Sequence, residues 1–455
     1  MKIRYFVWLI VGIFMLAGTG RTQPVAPVKS VIWVIGDGMG PEIMGFFMEG
    51  VRYASLTGYS QKVSSLERLM QRGVQGLYFN NTYNTIVTDS TASATQMASG
   101  KYTLPEYAGL DYEGHKVTSI LELAKEKGKS TGIVTDAYVT DATPAGFTAH
   151  VNSRRLKKEI AQQQIDLGLD VISGGGLKYF DQDLREQAKK KGYTLATTSR
   201  ELSNVKKGKL LGLFAETGMP FAIEMNQHPN VPSLAKQTEK ALALLDQNPE
   251  GFVLMVEAGK IDWAAHANDP GSVLAEMKAL DAALAVVLTY AEKHPDTLIY
   301  VSADHDTGLG TFVYQYLNQQ KAAQKTSEGE VIYNGNTLYH SMNLYNQLDR
   351  QTRSLQKLER ELRAQPYSML TQDYLERRLG ETLGTQISLA EFTNLQDIPG
   401  VFRQLNEKRG FGWATATHSS APLIGVAYGP HAELFSGVYH NTDIFPRMKK
   451  ALGWE

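Results

Sequence analysis

The run S-V-I-W-V-I-G-D-G-M-G, residues 30–40, decides the fold class. Its first part, 30–35, is almost continuously apolar and rich in Val and Ile. That is the pattern of a strand buried on both faces. Asp37 follows at the strand exit. Gly38 and Gly40 beside it let the backbone approach an ion or a phosphate closely. Similar runs recur at 130–135, 169–173, 251–256, 297–302 and 422–428. Helical stretches lie between them at 117–127, 234–247 and 271–294. The last carries Val273, Leu274, Met277, Leu280, Leu284, Val287 and Leu288 at helical spacing. This alternation predicts an α/β fold, with a large, mostly parallel central sheet and helices on both faces.

Residues 312–409 break the rhythm. The first part is polar, and N-Q-L-D-R-Q-T-R-S-L-Q-K-L-E-R-E-L at 346–362 is charged and helical in pattern. We read this stretch as a mainly helical insertion into a single catalytic domain, 23–455, with a role in substrate access or dimer contacts. Residues 1–22 read as a secretory signal: Lys2 and Arg4, the apolar run 5–17, then small and polar residues. The apolar run is shorter than the roughly 20 residues a membrane span needs. The expected mature chain is exported, periplasmic or extracellular, and free of the membrane.

The chain has 455 residues, with 46 Lys+Arg against 47 Asp+Glu, so its net charge is −1. A 43% hydrophobic fraction and 20% charged residues exclude a disordered or collagen-like chain. No basic excess exists to neutralise phosphates, so nucleic acid is not expected as a specific partner. Cysteine is absent. Disulfides, thiolate metal sites and a cysteine nucleophile are therefore excluded, and any metal must sit on His, Asp, Glu or hydroxyls.

Candidate chemistry collects just beyond the strand ends, where open α/β sheets bind their ligands. Asp37 follows the first strand. Glu257 ends another, with Asp262 and His266 four residues apart, a spacing that lets both chelate one ion from a helix. Asp304 and His305 leave a third. In T-D-S-T-A-S-A-T-Q-M-A-S-G, 88–100, Asp89 or Ser90 caps a small-residue helix and Gly100 ends it. Ser90 then sits where helix N–H groups favour an anion. In T-D-A-T-P-A-G-F-T-A-H-V-N-S-R, 140–154, Asp141 and Thr143 are hard oxygen donors and Arg154 can clamp a phosphate. Singly, each feature is more often a turn, a surface pair or a solvated charge. Their joint appearance after several buried strands is what carries information.

As a set these residues resemble the alkaline phosphatase family. The matching blocks, in the family's order, are I-G-D-G-M-G (35–40), D-S-T-A-S-A-T (89–95), D-A-T-P-A (141–145), A-H-V-N-S-R (149–154), V-E-A-G-K-I-D-W-A-A-H (256–266), A-D-H-D-T-G (303–308), A-T-H-S (416–419) and A-Y-G-P-H-A (427–432). The resemblance implies an alkaline phosphatase acting on phosphate monoesters of broad specificity, as a homodimer. It implies Ser90 as the nucleophile that becomes phosphoserine and Arg154 as the phosphate clamp, with Asp89 orienting it. It implies two Zn²⁺ ions, one on Asp262, His266 and His418 and the other on Asp37, Asp304 and His305. One Mg²⁺ would take Asp37, Thr143 and Glu257, with Asp141 holding its waters. Trp263 stands where some bacterial relatives carry Lys. The loss of that cation is expected to weaken phosphate binding and leaves the third metal's identity open. His150 and His431 read as structural. A phosphodiesterase with the same two-metal core and a non-catalytic phosphoester-binding protein are the alternatives.

Overall fold

β1 (Ser30–Gly36) is buried along its whole length and lies inside a ten-stranded sheet. The computed structural model describes residues 26–325 and 331–454; the signal read at residues 1–22 lies outside them. The other sheet strands are β2 (Val74–Phe79), β3 (Ser130–Tyr138), β4 (Val171–Gly175), β5 (Tyr193–Ala196), β6 (Lys209–Leu213), β7 (Phe252–Ala258), β8 (Thr297–Ala303), β9 (Leu423–Tyr428) and β10 (Gly437–His440). Their order is β10-β2-β9-β8-β1-β7-β3-β4-β6-β5. Every pairing is parallel except those of β9, which runs against both β8 and β2. The expected α/β architecture is the one observed.

The strands that carry chemistry are adjacent, and their register sets their ends level. Ile35 lies opposite Glu257 on β7, Glu257 opposite Thr135 on β3, and Gly36 opposite Ala303 on β8. Asp37, Glu257 and Asp304 therefore emerge together. Trp33 locks this region. Its buried Nε1–H donates to Ser302 Oγ at 2.9 Å, as a buried indole requires. Its ring meets Phe147 and Tyr300 edge-on, at 5.2 and 5.6 Å between centroids.

Two short helices stand over these ends. α1 (Ser90–Ser99) is built of small residues and is wholly buried. Asp89 caps it, accepting from Thr91 N and Ala92 N. α2 (Ala142–Thr148) approaches so closely that a Cβ on Gly146 would lie 2.7 Å from Ala94 Cβ. α3 (Lys157–Leu167) follows it. α4 (Lys260–His266) leaves β7, and Asp136 Oδ1 holds its start by accepting from Gly259 N and Lys260 N at 2.7 and 3.2 Å. α5 (Pro270–Lys293) begins after Asp269.

The stretch 312–409 opens differently from the helical expectation. Gln315–Lys325 and Val331–Leu338 form an antiparallel hairpin. Val331, Ile332, Tyr333 and Thr337 are β-branched or aromatic and favour extended backbone, a preference that polar composition conceals. Helices follow: α6 (Leu355–Arg363), α7 (Gln372–Leu383) and α8 (Ile398–Lys408). They bury a core of their own, including Leu358, Leu362, Leu379 and Val401. Its base is tied to α5 by Asp269, whose carboxylate accepts from Gln351 Nε2 and Leu355 N at 2.8 and 2.7 Å. Two short antiparallel pairs close the excursion, Thr311–Phe312 with Phe411–Gly412 and Asp306–Thr307 with His418–Ser419. No helix among the described residues is long and apolar enough to cross a membrane.

His150 bridges Gly109 O and Glu122 Oε1 at 2.7 and 2.8 Å, and His431 Nε2 bonds Ala26 O at 3.0 Å. The Glu122 bond raises the His150 pKa, and the same pairing keeps Glu122 low against its burial. A raised imidazole contributes stability fully below its unfolded value of about 6.5 and loses it as pH rises through the folded value. A depressed carboxyl contributes above about 4.3 and loses it in acid. The gap in Tm between the wild type and His150→Gln is therefore expected to be widest between about pH 5 and 6.5 and narrower at about pH 9. Thermal melts across that range check it, and a gap independent of pH refutes it.

Candidate active site

Each candidate residue arrives on its own element, and the register brings them to one place. Asp37 follows β1, Glu257 ends β7, Asp262 and His266 share one face of α4, and Asp304 and His305 follow β8. His418 arrives after the 312–409 stretch, opposite Thr307. Ser90 opens α1. Asp37, Ser90, Glu257, Asp262, Asp304 and His305 are all buried.

Two ligand sets form. In the first, His266 Nε2 lies 3.2 Å from Asp262 Oδ1 and 3.2 Å from His418 Nε2. The tautomers follow from the other ring nitrogens. His266 Nδ1 faces Ala416 O at 2.7 Å and His418 Nδ1 faces Thr88 O at 2.9 Å. A carbonyl only accepts, so each Nδ1 carries the proton. Both Nε2 lone pairs then point at one another beside a carboxylate, an arrangement that needs a cation between them.

In the second, His305 Nε2 lies 3.2 Å from Asp304 Oδ2, 3.4 Å from Asp37 Oδ1 and 2.9 Å from Ser90 Oγ. Asp37 Oδ1 and Asp304 Oδ2 are buried without a hydrogen-bond partner. Asp304 Oδ1 is instead fixed by Gly38 N and His305 N at 3.1 and 2.9 Å. Gly38 makes this approach at φ +69°, and a Cβ there would meet Thr307 Oγ1 at 2.8 Å. In each set the donor atoms lie within 4.8 Å of one another.

Thr307 joins the two sets. Its hydroxyl donates to Asp262 Oδ1 at 2.6 Å and stands 3.2 Å from His305 Nδ1. The hydroxyl proton is committed to Asp262, so His305 Nδ1–H donates to it and Nε2 again presents a lone pair. Sequence reading passed over this residue. It lies inside the A-D-H-D-T-G block, two positions after His305, and that spacing was the available signal. Asp136, which holds the start of α4, was passed over as well.

The electrostatics show the same shortage of positive charge. Burial, then Asp304, Asp262 and Glu257, push the Asp37 carboxyl well above its ordinary range. Burial and Asp262 lift Asp304 to about 7. Burial raises Glu257 against the hydroxyls of Thr135 and Thr143, which favour its ionised form. Burial, then His418 and His266, push His305 well below the imidazole range. Carboxylates driven toward protonation and imidazoles driven toward neutrality, with orphaned oxygens between them, fit divalent cations.

Ser90 is the first residue of α1, beside His305. Asp89 does not orient Arg154 directly. Its Oδ1 caps α1, and its Oδ2 accepts from Glu106 N at 2.8 Å. Arg154 instead donates through Nη2 to Asp141 Oδ1 at 3.3 Å. Asp141 also holds the Lys157 ammonium at 2.8 Å. Trp263 is partly buried, with its ring 5.5 Å from that of Tyr138.

Residues 28–454 match the family model described as alkaline phosphatase. Alkaline phosphatase 3 of Bacillus subtilis (strain 168) is 31% identical over 444 residues, covering 93% of this chain and 89% of that protein. The crystal structure of Thermus thermophilus alkaline phosphatase superposes with a TM-score of 0.80 at 26% identity, over 98% of this chain and 96% of that one. The cold-active alkaline phosphatase of a Shewanella sp. gives 0.75 at 30% identity, over 93% and 99%. Near-complete coverage in sequence and in shape, over the same strands that carry the ligand sets, makes the chain an enzyme of the alkaline phosphatase family.

Proposed function

We propose that the protein hydrolyses phosphate monoesters through a phosphoserine formed on Ser90. The observation that carries this is the position of Ser90 Oγ, 2.9 Å from His305 Nε2 and at the N-terminus of a capped helix. Two zinc ions, on Asp262, His266 and His418 and on Asp37, Asp304 and His305, with a magnesium ion on Asp37, Thr143 and Glu257, would lower the pKa of the serine hydroxyl and of water and neutralise the departing oxygen.

The chain's own groups do the rest. The serine oxygen attacks phosphorus and the alcohol leaves. Water then cleaves the phosphoserine, restoring the hydroxyl and releasing inorganic phosphate. The dipole of α1 favours the phosphoryl charge, while its Thr91 and Ala92 N–H groups are taken up by Asp89. The Arg154 fork binds two phosphoryl oxygens and follows the charge into the transition state. Asp89 serves by fixing the start of α1, and with it the Ser90 backbone. All of these contacts address the phosphoryl group, so the alcohol is weakly discriminated and broad specificity follows. The export reading rests on the basic, apolar and small-residue succession at 1–22, and the homodimer reading on family resemblance.

In the metal-loaded enzyme, Ser90→Ala is expected to lower kcat on a chromogenic monoester by at least about 10³-fold. A chelator is expected to abolish turnover and zinc to restore it, while a bis-ester is hydrolysed far more slowly. Steady-state assays from neutral to alkaline pH decide this. Faster diester than monoester turnover favours the phosphodiesterase reading, and a metallated protein that binds phosphate without turnover favours the binding-protein reading.

Thr307→Val removes the hydroxyl that connects His305 to Asp262. A supporting group of this kind is worth about 10–100-fold in metal affinity. Zinc competition against a calibrated chelator is expected to show a loss in that range, and unchanged zinc affinity would refute the role.

A further inference from the structure

Trp263 occupies the position after Asp262 where a cation was expected to be missed. Its indole is wedged between Tyr138 and Gly218, where a Cβ would lie 2.6 Å from the ring. Lys260 Nζ stands 4.2 Å from the ring centroid. A different lysine reaches Asp141, the carboxylate bonded to Arg154. Lys157, the first residue of α3, places Nζ 2.8 Å from Asp141 Oδ1 and 3.1 Å from Thr140 O. Its side chain is only 15% exposed.

This is an unfavourable place for an ammonium. The first turn of a helix carries the positive end of the dipole, which disfavours a cation, and burial removes water from the charge. Nothing about α3 itself requires a lysine there. The compensation comes from Asp141, and Asp141 is also the carboxylate bonded to Arg154. One oxygen thus receives two cations, Lys157 at 2.8 Å and Arg154 Nη2 at 3.3 Å. The nearer contact neutralises Asp141. The longer one leaves the guanidinium uncommitted, with its remaining N–H groups available to a phosphate.

We infer that Lys157 is a positioning residue for phosphate capture: it satisfies Asp141 so that Arg154 is not drawn into a closed ion pair. Asp141 and Arg154 alone balance to zero. With Lys157 the triad is left with one net positive charge beside the Ser90 pocket, the sign a phosphoryl dianion needs. The inference rests on the phosphomonoesterase reading.

The test uses metal-loaded wild-type enzyme, Lys157→Met and Lys157→Arg, each alone and with Asp141→Asn. Inorganic phosphate affinity is read by titration calorimetry, and KM and kcat on a monoester are read in parallel. Lys157→Met is expected to weaken phosphate binding and raise KM by about 5–10-fold, with a much smaller change in kcat, and Lys157→Arg to stay within about twofold of wild type. With Asp141→Asn the effect of Lys157→Met is expected to shrink, because the charge it balances is gone. Lys157→Gln provides the same reading where the Met variant does not fold. Unchanged phosphate affinity in Lys157→Met, with or without a lower Tm, overturns the inference, as does an equal loss in the Asp141→Asn background. A wild-type enzyme that neither binds phosphate nor hydrolyses monoesters overturns this inference and the phosphatase reading together.

Discussion

Mutual repulsion among buried carboxylates is the constraint on which the rest of the molecule turns. Asp37, Glu257, Asp262 and Asp304 meet at the ends of adjacent strands, and burial raises the pKa of Asp37, Glu257 and Asp304 further. A protein interior tolerates such a cluster only when cations balance it or protons quench it. The parallel register gives the side chains no freedom to separate. Moving any one of these strands by a residue would reverse the face its side chains present. The large apolar sheet therefore does more than fill space. Trp33 and its buried neighbours hold the acidic groups at distances they would otherwise leave.

The proton arrangement shows how little is left to chance. Backbone carbonyls of Thr88 and Ala416 and the hydroxyl of Thr307 each accept from one nitrogen of a histidine. His266, His305 and His418 are thereby each fixed in the tautomer that offers Nε2. The carbonyl of Thr88 belongs to the segment that delivers Ser90. The orientation of His418 and the placement of the serine are consequently set by the same few atoms.

The sequence displayed the central architecture because β1, β3, β7 and β8 are covered on both faces: β1, β7 and β8 are near-continuous apolar runs, and β3 carries Ile and Val among small and hydroxyl residues. It concealed β2, β5, β6 and β10. β2, V-Q-G-L-Y-F, mixes buried and exposed positions, and β5 and β10 are only four residues long. The Gln315–Lys325 hairpin strand is too polar to announce itself. At the site, Asp262 and His266 were visible through helical spacing, and Asp304-His305 through adjacency. Thr307 had only its place two positions after His305 to mark it, and its role is plain once the Asp262 carboxylate is seen beside it. Lys157 was overlooked for a related reason. Its partner Asp141 lies 16 positions away, and a lysine opening a helix looks in sequence like a solvated charge.

The two short antiparallel pairs that shut the excursion between Phe312 and Phe411 have a wider meaning. They set His418 directly opposite Thr307, so the location of that imidazole depends on a local ladder and not on the length of what intervenes. Topologically the excursion is a closed side branch with its own small core. Chain can be added to or removed from its tip at the entropic cost of a surface loop, which grows only slowly with length. The fold thus sets a region free to vary in length directly beside a site whose geometry is fixed.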